Sequence, residues 1–154
     1  MSDHSIADPM TGRLVSRLRA TADAYCATGE AIPDRTIRLL CDGFAAVHRL
    51  FANELEAALG HSTDDGSEMT LLAGDLGAEI RSDRDALPTL LARSCMLEDA
   101  FRSALRSDLP SDVDLLLYRV FAKVRGARER LLAALLRKPH LAQFPTIPAL
   151  SHCA

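Results

Sequence analysis

The sequence predicts an all-α protein, an antiparallel up-down-up-down four-helix bundle with a broken third helix. Three observations lead there. Apolar residues recur at spacings of three and four from Leu14 to Leu135, and nowhere alternate with polar ones for long, which excludes a substantial sheet. Helix stop signals interrupt that pattern at Gly29, Gly60 and Asp108-Leu109-Pro110. The chain has 154 residues, 48% of them hydrophobic and 25% charged, which suits one domain around one shared core.

The first helix is expected over about 11–28. Leu14, Val15, Leu18, Ala22, Tyr25 and Cys26 share one face, and Gly29 is placed to end it as a left-handed cap. Pro33 and Asp34 open the second helix, with Asp34 as N-cap. Its seam is Ile37, Leu40, Cys41, Phe44, Val47, His48, Phe51, Leu55 and Ala58, and Gly60 closes it. Residues 60–67 are small, polar and acidic, as in an exposed loop. Ser67 caps a short helix bearing Leu71, Leu72, Leu76 and Ile80, and the charged run from Arg81 to Asp85 bends the chain before Leu87. The second part of this broken helix carries Leu87, Leu90, Leu91, Ser94, Leu97, Glu98, Phe101 and Leu105 on one face. Ser111 with Asp114 makes a capping-box-like start for the last helix. Val113, Leu116, Leu117, Val120, Phe121, Val124, Arg128, Leu131 and Leu135 form its seam to about Arg137. The domain reading is a flexible N-terminus over 1–10, the bundle over 11–137, and an apolar, proline-containing tail over 138–154. Leu141, Phe144, Ile147 and Leu150 make that tail too apolar for a plain solubilising appendage.

Lys and Arg number 18 against 21 Asp and Glu, a net charge of -3, so no field of one sign points to nucleic acid or an anionic membrane. The longest apolar runs, such as 131–136, fall far short of the roughly 20 residues that span a bilayer. Asp3 and Asp8 precede any apolar stretch, unlike a signal peptide, and the expected address is the cytoplasm. Cys26, Cys41, Cys95 and Cys153 lack the short spacing of a zinc or redox motif and read as free thiols.

Three ionisable residues interrupt apolar seams: His48 between Phe44 and Phe51, Glu98 between Ser94 and Phe101, Arg128 between Val124 and Leu131. Three mid-helix positions meeting in one layer need partners, because an unpaired buried charge costs several kcal/mol. A bidentate Glu98–Arg128 pair, with His48 as a further donor or acceptor, answers that need. A bundle-core dimetal centre takes paired Glu-x-x-His motifs, and the chain has none; Ala45 stands three residues before His48. Only His48 and Glu98 remain as metal candidates, and no cofactor is expected. His61 beside Asp64 and Asp65 reads as a solvated loop, His4, His140 and His152 lie in the tails, and Ser94 and Cys95 beside Glu98 read as packing residues. The chain has no Gly-x-Ser-x-Gly elbow, phosphate-binding glycine loop or His-Glu-x-x-His.

The order Phe51-Ala52-Asn53-Glu54-Leu55, Ala58-Leu59-Gly60, Asp65-Gly66-Ser67, Glu98-Asp99, Ala104-Leu105, Leu109-Pro110 and the helix from Val124 to Leu135 resembles an uncharacterised bacterial family of ferritin-like four-helix bundles. The resemblance covers about 14–135 and rests on order and spacing rather than on any one motif. It implies a ferritin-like fold in which Glu98 keeps a carboxylate position, while Arg128 replaces a histidine and Ala45, Ala46 and Val47 stand where carboxylates belong. That family brings no activity with it. The expected function is therefore non-enzymatic, through self-association as a dimer to which the tail contributes, or through a protein partner. The alternatives are a ferritin-like metal or oxidative-stress protein with a reduced site, and a small-ligand bundle with a pocket beside Cys26, Cys41 and Cys95.

Overall fold

The computed structural model describes residues 9–59 and 83–138. They form four helices and no strand: α1 (Pro9–Ala31), α2 (Arg35–Leu59), α3 (Asp83–Ala104) and α4 (Ser111–Leu136). The expected short helix over 67–80, the loop with His61, Asp64 and Asp65, the tail histidines and the apolar tail lie outside the described residues. None of the described helices is long and apolar enough to cross a membrane.

Helix α1 does not end at Gly29. It continues to Ala31, and a Cβ on Gly29 would stand 3.0 Å from Cys41 Cβ and 3.5 Å from the Arg38 carbonyl oxygen. The glycine serves a close approach of α1 to α2, and Pro33, which has no N–H to give, ends the helix. The Asp34 cap forms, its Oδ1 accepting from the Ile37 N–H at 3.0 Å. Asp34 Oδ2 also meets Lys138 Nζ at 2.5 Å, which pins the end of α4 to the start of α2. That ammonium, with the Ile37 N–H, holds the Asp34 carboxyl below its usual range.

Asp83 to Asp85 lie in the first turn of α3, and Arg81 and Ser82, where the expected bend begins, lie outside the described residues. Pro88 sits inside α3 and removes the N–H that would reach the carbonyl of Arg84. The capping box at Ser111 is absent. Pro110 occupies the N-cap position with no side-chain hydrogen bond, and the Asp114 N–H instead reaches the Pro110 carbonyl at 2.9 Å. Ser111 is already helical, one position too late to cap.

Helix α1 packs on α2 and α3, and α4 packs on the same two, more sparsely on α3. Ion pairs and polar contacts mark the register. Arg19 meets Glu56 at 2.6 Å and Arg49 meets Asp23 at 3.1 Å between α1 and α2. Arg17 donates to the Met96 carbonyl at 3.1 Å and Arg93 to the Ala20 carbonyl at 3.0 Å between α1 and α3. Arg119 meets Glu54 at 2.7 Å between α4 and α2. The buried hydroxyls of Thr21 and Thr28 donate to the carbonyls four residues back, which satisfies them without a partner helix.

The core divides into two apolar clusters. One holds Leu14, Leu18, Phe51, Leu55, Leu97, Phe101, Val120 and Val124 among others, the second Tyr25, Ile37, Cys41, Ala45, Leu90, Ala127, Leu131 and Leu135. Three buried polar residues fall where one cluster gives way to the other, Thr21 after Leu18, His48 after Ala45 and Ser94 after Leu90, and Glu98 and the half-buried Arg128 stand within a turn of that boundary.

Candidate functional site: a buried polar layer

The boundary between the clusters gathers the polar side chains that the seams carry. Glu98 is 1% exposed, and its Oε1 lies 2.7 Å from Arg128 Nη1. Its Oε2 lies 3.5 Å from Arg102 Nη2. In place of the expected bidentate fork, two arginines take one oxygen each, with Arg102 four residues along the same helix and within reach of the second. Neither contact has hydrogen-bond alignment, so both carboxylate oxygens are held by charge without accepting a directed bond. Burial pushes the Glu98 carboxyl above its usual range, and Arg128, then Arg102 and Arg125, pull against it.

His48 is equally buried, but its partner is a backbone group. Its Nδ1 lies 2.7 Å from the Phe44 carbonyl oxygen. A carbonyl only accepts, so Nδ1 carries the proton and Nε2 is a bare acceptor, which no hydrogen bond reaches. Tyr25 of α1 packs against the His48 ring, with centroids 5.0 Å apart, and edge-on against Phe44 at 5.6 Å. Burial holds the Tyr25 phenol far above its ordinary range; Cys41 and Glu98 add to this, while Arg128 and Ser94 oppose it. Tyr25 is the residue that sequence reasoning missed. It was counted as apolar, and only its position one turn from Thr21 and Ala22 on a buried face signals that its hydroxyl also needs company.

The cysteines separate. Cys26 and Cys41 are free, whereas Cys95 is disulfide-bonded, so the expectation of four free thiols fails at Cys95. Burial pushes the Cys41 thiol up to about 12, which makes it inert. Cys26 lies 3.5 Å from Arg49 Nη2 on the α1–α2 side, and Cys95 lies 4.0 Å from Arg128 Nη1 on the α3–α4 side. Among the described residues, no group of three His, Cys, Asp or Glu side chains is placed to hold a metal ion.

The neutral state of His48 has a measurable sign. Burial lowers its pKa from the ordinary 6.5, and the hydrogen bond to Phe44 only partly opposes this. The unfolded chain therefore binds the proton more tightly. Its stabilising share is fully present above about pH 6.5 and is lost as pH falls toward the folded-state pKa, with a slope of at most about 1.4 kcal/mol per pH unit. In urea unfolding at pH 7.5 and 5.5, His48→Asn, which cannot titrate, is expected to lose less stability on acidification than the parent chain. Equal losses reject a buried neutral imidazole.

No protein-family model matches the chain, and neither a curated protein nor a solved structure matches it.

Proposed function

We propose that the chain is a non-enzymatic four-helix bundle, up-down-down-up and ferritin-like in course, that acts by pairing with a second copy of itself. The reversed order of contacts supports these directions in place of the up-down-up-down order expected from sequence: Arg19 with Glu56 but Asp23 with Arg49 for α1 and α2, Arg17 with Met96 but Ala20 with Arg93 for α1 and α3, and Asp34 with Lys138 but Glu54 with Arg119 for α2 and α4. The core's ionisable groups are engaged with one another or with backbone, Glu98 with two arginines and His48 with Phe44. That favours a role at the surface.

The observation that carries the proposal lies on the outward face of α2. Leu39 and Leu50 are 62% and 54% exposed, and between them Gly43 and Ala46 are exposed too. The stripe is symmetric in spacing about the midpoint of Phe44 and Ala45, with a leucine at each end and small residues between. An antiparallel two-fold contact thus sets Leu39 on Leu50 of the other copy and Gly43 on Ala46, with Thr36 facing Asn53 and Arg35 facing Glu54. Space around Gly43 is open, so a second helix backbone can come close. Two-fold contacts demand this kind of self-complementarity, and covering two large exposed leucines supplies the drive.

Light scattering at tens of micromolar is expected to give a dimer mass. Leu50→Glu places a charge at both ends of the contact through the symmetry and is expected to give a monomer of unchanged helix content. A monomeric parent chain, or a dimer untouched by Leu50→Glu and Leu39→Glu, rejects the proposal. A reduced metal site is the second reading, favoured by the unpartnered His48 Nε2 and opposed by the Arg128 guanidinium on Glu98. Stoichiometric metal in protein purified without chelator supports that reading instead.

A further inference from the structure

The outward face of α4 carries a pattern that neither the core nor the α2 stripe uses. Leu115, Tyr118 and Leu136 are 70%, 56% and 72% exposed, and Ala122 and Ala133 are exposed between them. At helical spacing these five positions share one stripe, about 32 Å long from Leu115 to Leu136.

Cations border the stripe on both sides. Lys123, Arg130 and Arg137 stand seven residues apart and are all exposed, and among the described residues none of them forms an ion pair. Near the two ends of that row Arg119 and Lys138 meet Glu54 and Asp34 of α2, which places the row on the α2 edge of α4. On the α3 edge Arg125 stands over the Phe121 ring. By contrast, Arg19, Arg49, Arg102 and Arg128 on the other packed faces each meet a carboxylate. The net charge of -3 averages over this separation. The exposed carboxylates of α4 are those of Asp112, in the first turn, and Glu129, which has Arg125 3.8 Å away.

We infer that this face of α4 lies on an anionic lipid surface, with the apolar stripe among the headgroups and the cation row on their phosphates. A large apolar residue at each end, an aromatic with a polar tip and Lys or Arg along the edges are what a helix lying in the plane of a bilayer surface presents. A single helix face is convex and touches a plane along its whole length, whereas a partner helix seats best in a groove. A soluble polyanion would engage the row but leave the two leucines and the tyrosine in water. The contact is peripheral, since none of the described helices is long and apolar enough to cross a membrane. The α2 stripe takes no part in it, so this inference and the α2 pairing stand or fall separately.

The test uses the full chain and vesicles of phosphatidylcholine, alone or with about a third phosphatidylglycerol. The chain is expected to sediment with the anionic vesicles at low salt, to be released as salt rises, and to ignore phosphatidylcholine alone. The chain has no tryptophan, so Tyr118→Trp puts a single reporter on the stripe. Its emission is expected to shift to the blue on the anionic vesicles and to be quenched by lipid brominated in its acyl chains. Lys123→Glu with Arg130→Glu, and separately Leu136→Glu, are each expected to weaken vesicle binding about tenfold or more, with helix content and subunit mass unchanged. A full chain that does not bind the anionic vesicles, or an indole that stays in water, overturns the inference. So does binding that falls with the charge reversals but not with Leu136→Glu and is matched by soluble polyphosphate, which makes the row a polyanion site instead.

Discussion

Arg128→Leu is expected to cost about 3–5 kcal/mol of stability, and Arg128→Leu combined with Glu98→Leu much less. The single change leaves a carboxylate that is 1% exposed without the guanidinium 2.7 Å away. Arg102 does not replace it, because it lies 3.5 Å from the other oxygen on a side chain 36% exposed to screening water. The double change removes charge and counter-charge together and puts apolar volume between two apolar clusters. The defect also has a pH signature. Burial already raises the Glu98 carboxyl, and Arg128 is the strongest influence holding it down. Without Arg128 the folded-state pKa rises further. A group raised in the folded state stabilises fully below its unfolded value of about 4.3 and loses that share as pH rises through the folded value. The Arg128→Leu defect is therefore expected in full at pH 7 and smaller near pH 4.5. Urea unfolding of both singles and the double at fixed protein concentration measures the coupling. Additive costs reject the pair.

The features read correctly from sequence were those set by burial period. The seam of α2 was legible because Ile37, Cys41, His48, Phe51 and Leu55 bury one stripe, and a charge on such a stripe announces that it needs a counter-charge. Glu98 and Arg128 could be singled out for that reason, although which oxygen meets which nitrogen depended on Arg102, whose place on an exposed face gave no sign. His48 was legible as buried but not in its bonding, since a backbone carbonyl one turn back is available to any helical histidine and leaves no trace in composition. Glycine and cysteine carried ambiguity of another kind. Gly29 satisfies the rule for a helix stop, yet what fixes it is the Cβ of Cys41 on another helix. The free thiol of Cys41 and the bonded one of Cys95 look alike until the helices are placed.

Phe101→Ala is expected to cost about 3–5 kcal/mol, with Phe101→Leu well below it. Phe101 is fully buried among Leu97, Val120 and Val124, and its ring stacks on Phe121 of α4 with centroids 5.4 Å apart and planes 22° from parallel. The guanidinium carbons of Arg125 and Arg102 stand 5.8 and 6.0 Å from the Phe121 ring centre, so the stack also seats the arginines that surround Glu98. Because α3 and α4 meet more sparsely than the other packed helices, few neighbours are placed to collapse into the space an alanine leaves. The cost therefore belongs in the upper part of that range. Phe121 is half-buried, and its own truncation is expected to cost less, while the two together fall short of additive by about 0.5–1.5 kcal/mol for the lost stack. Helices α2 and α3 do not pack on one another, so the outward stripe of α2 lies away from the damage. Light scattering on folded Phe101→Ala is expected to return the same subunit number as the parent chain. A cost under about 1.5 kcal/mol for Phe101→Ala means that the seam is not held by this stack.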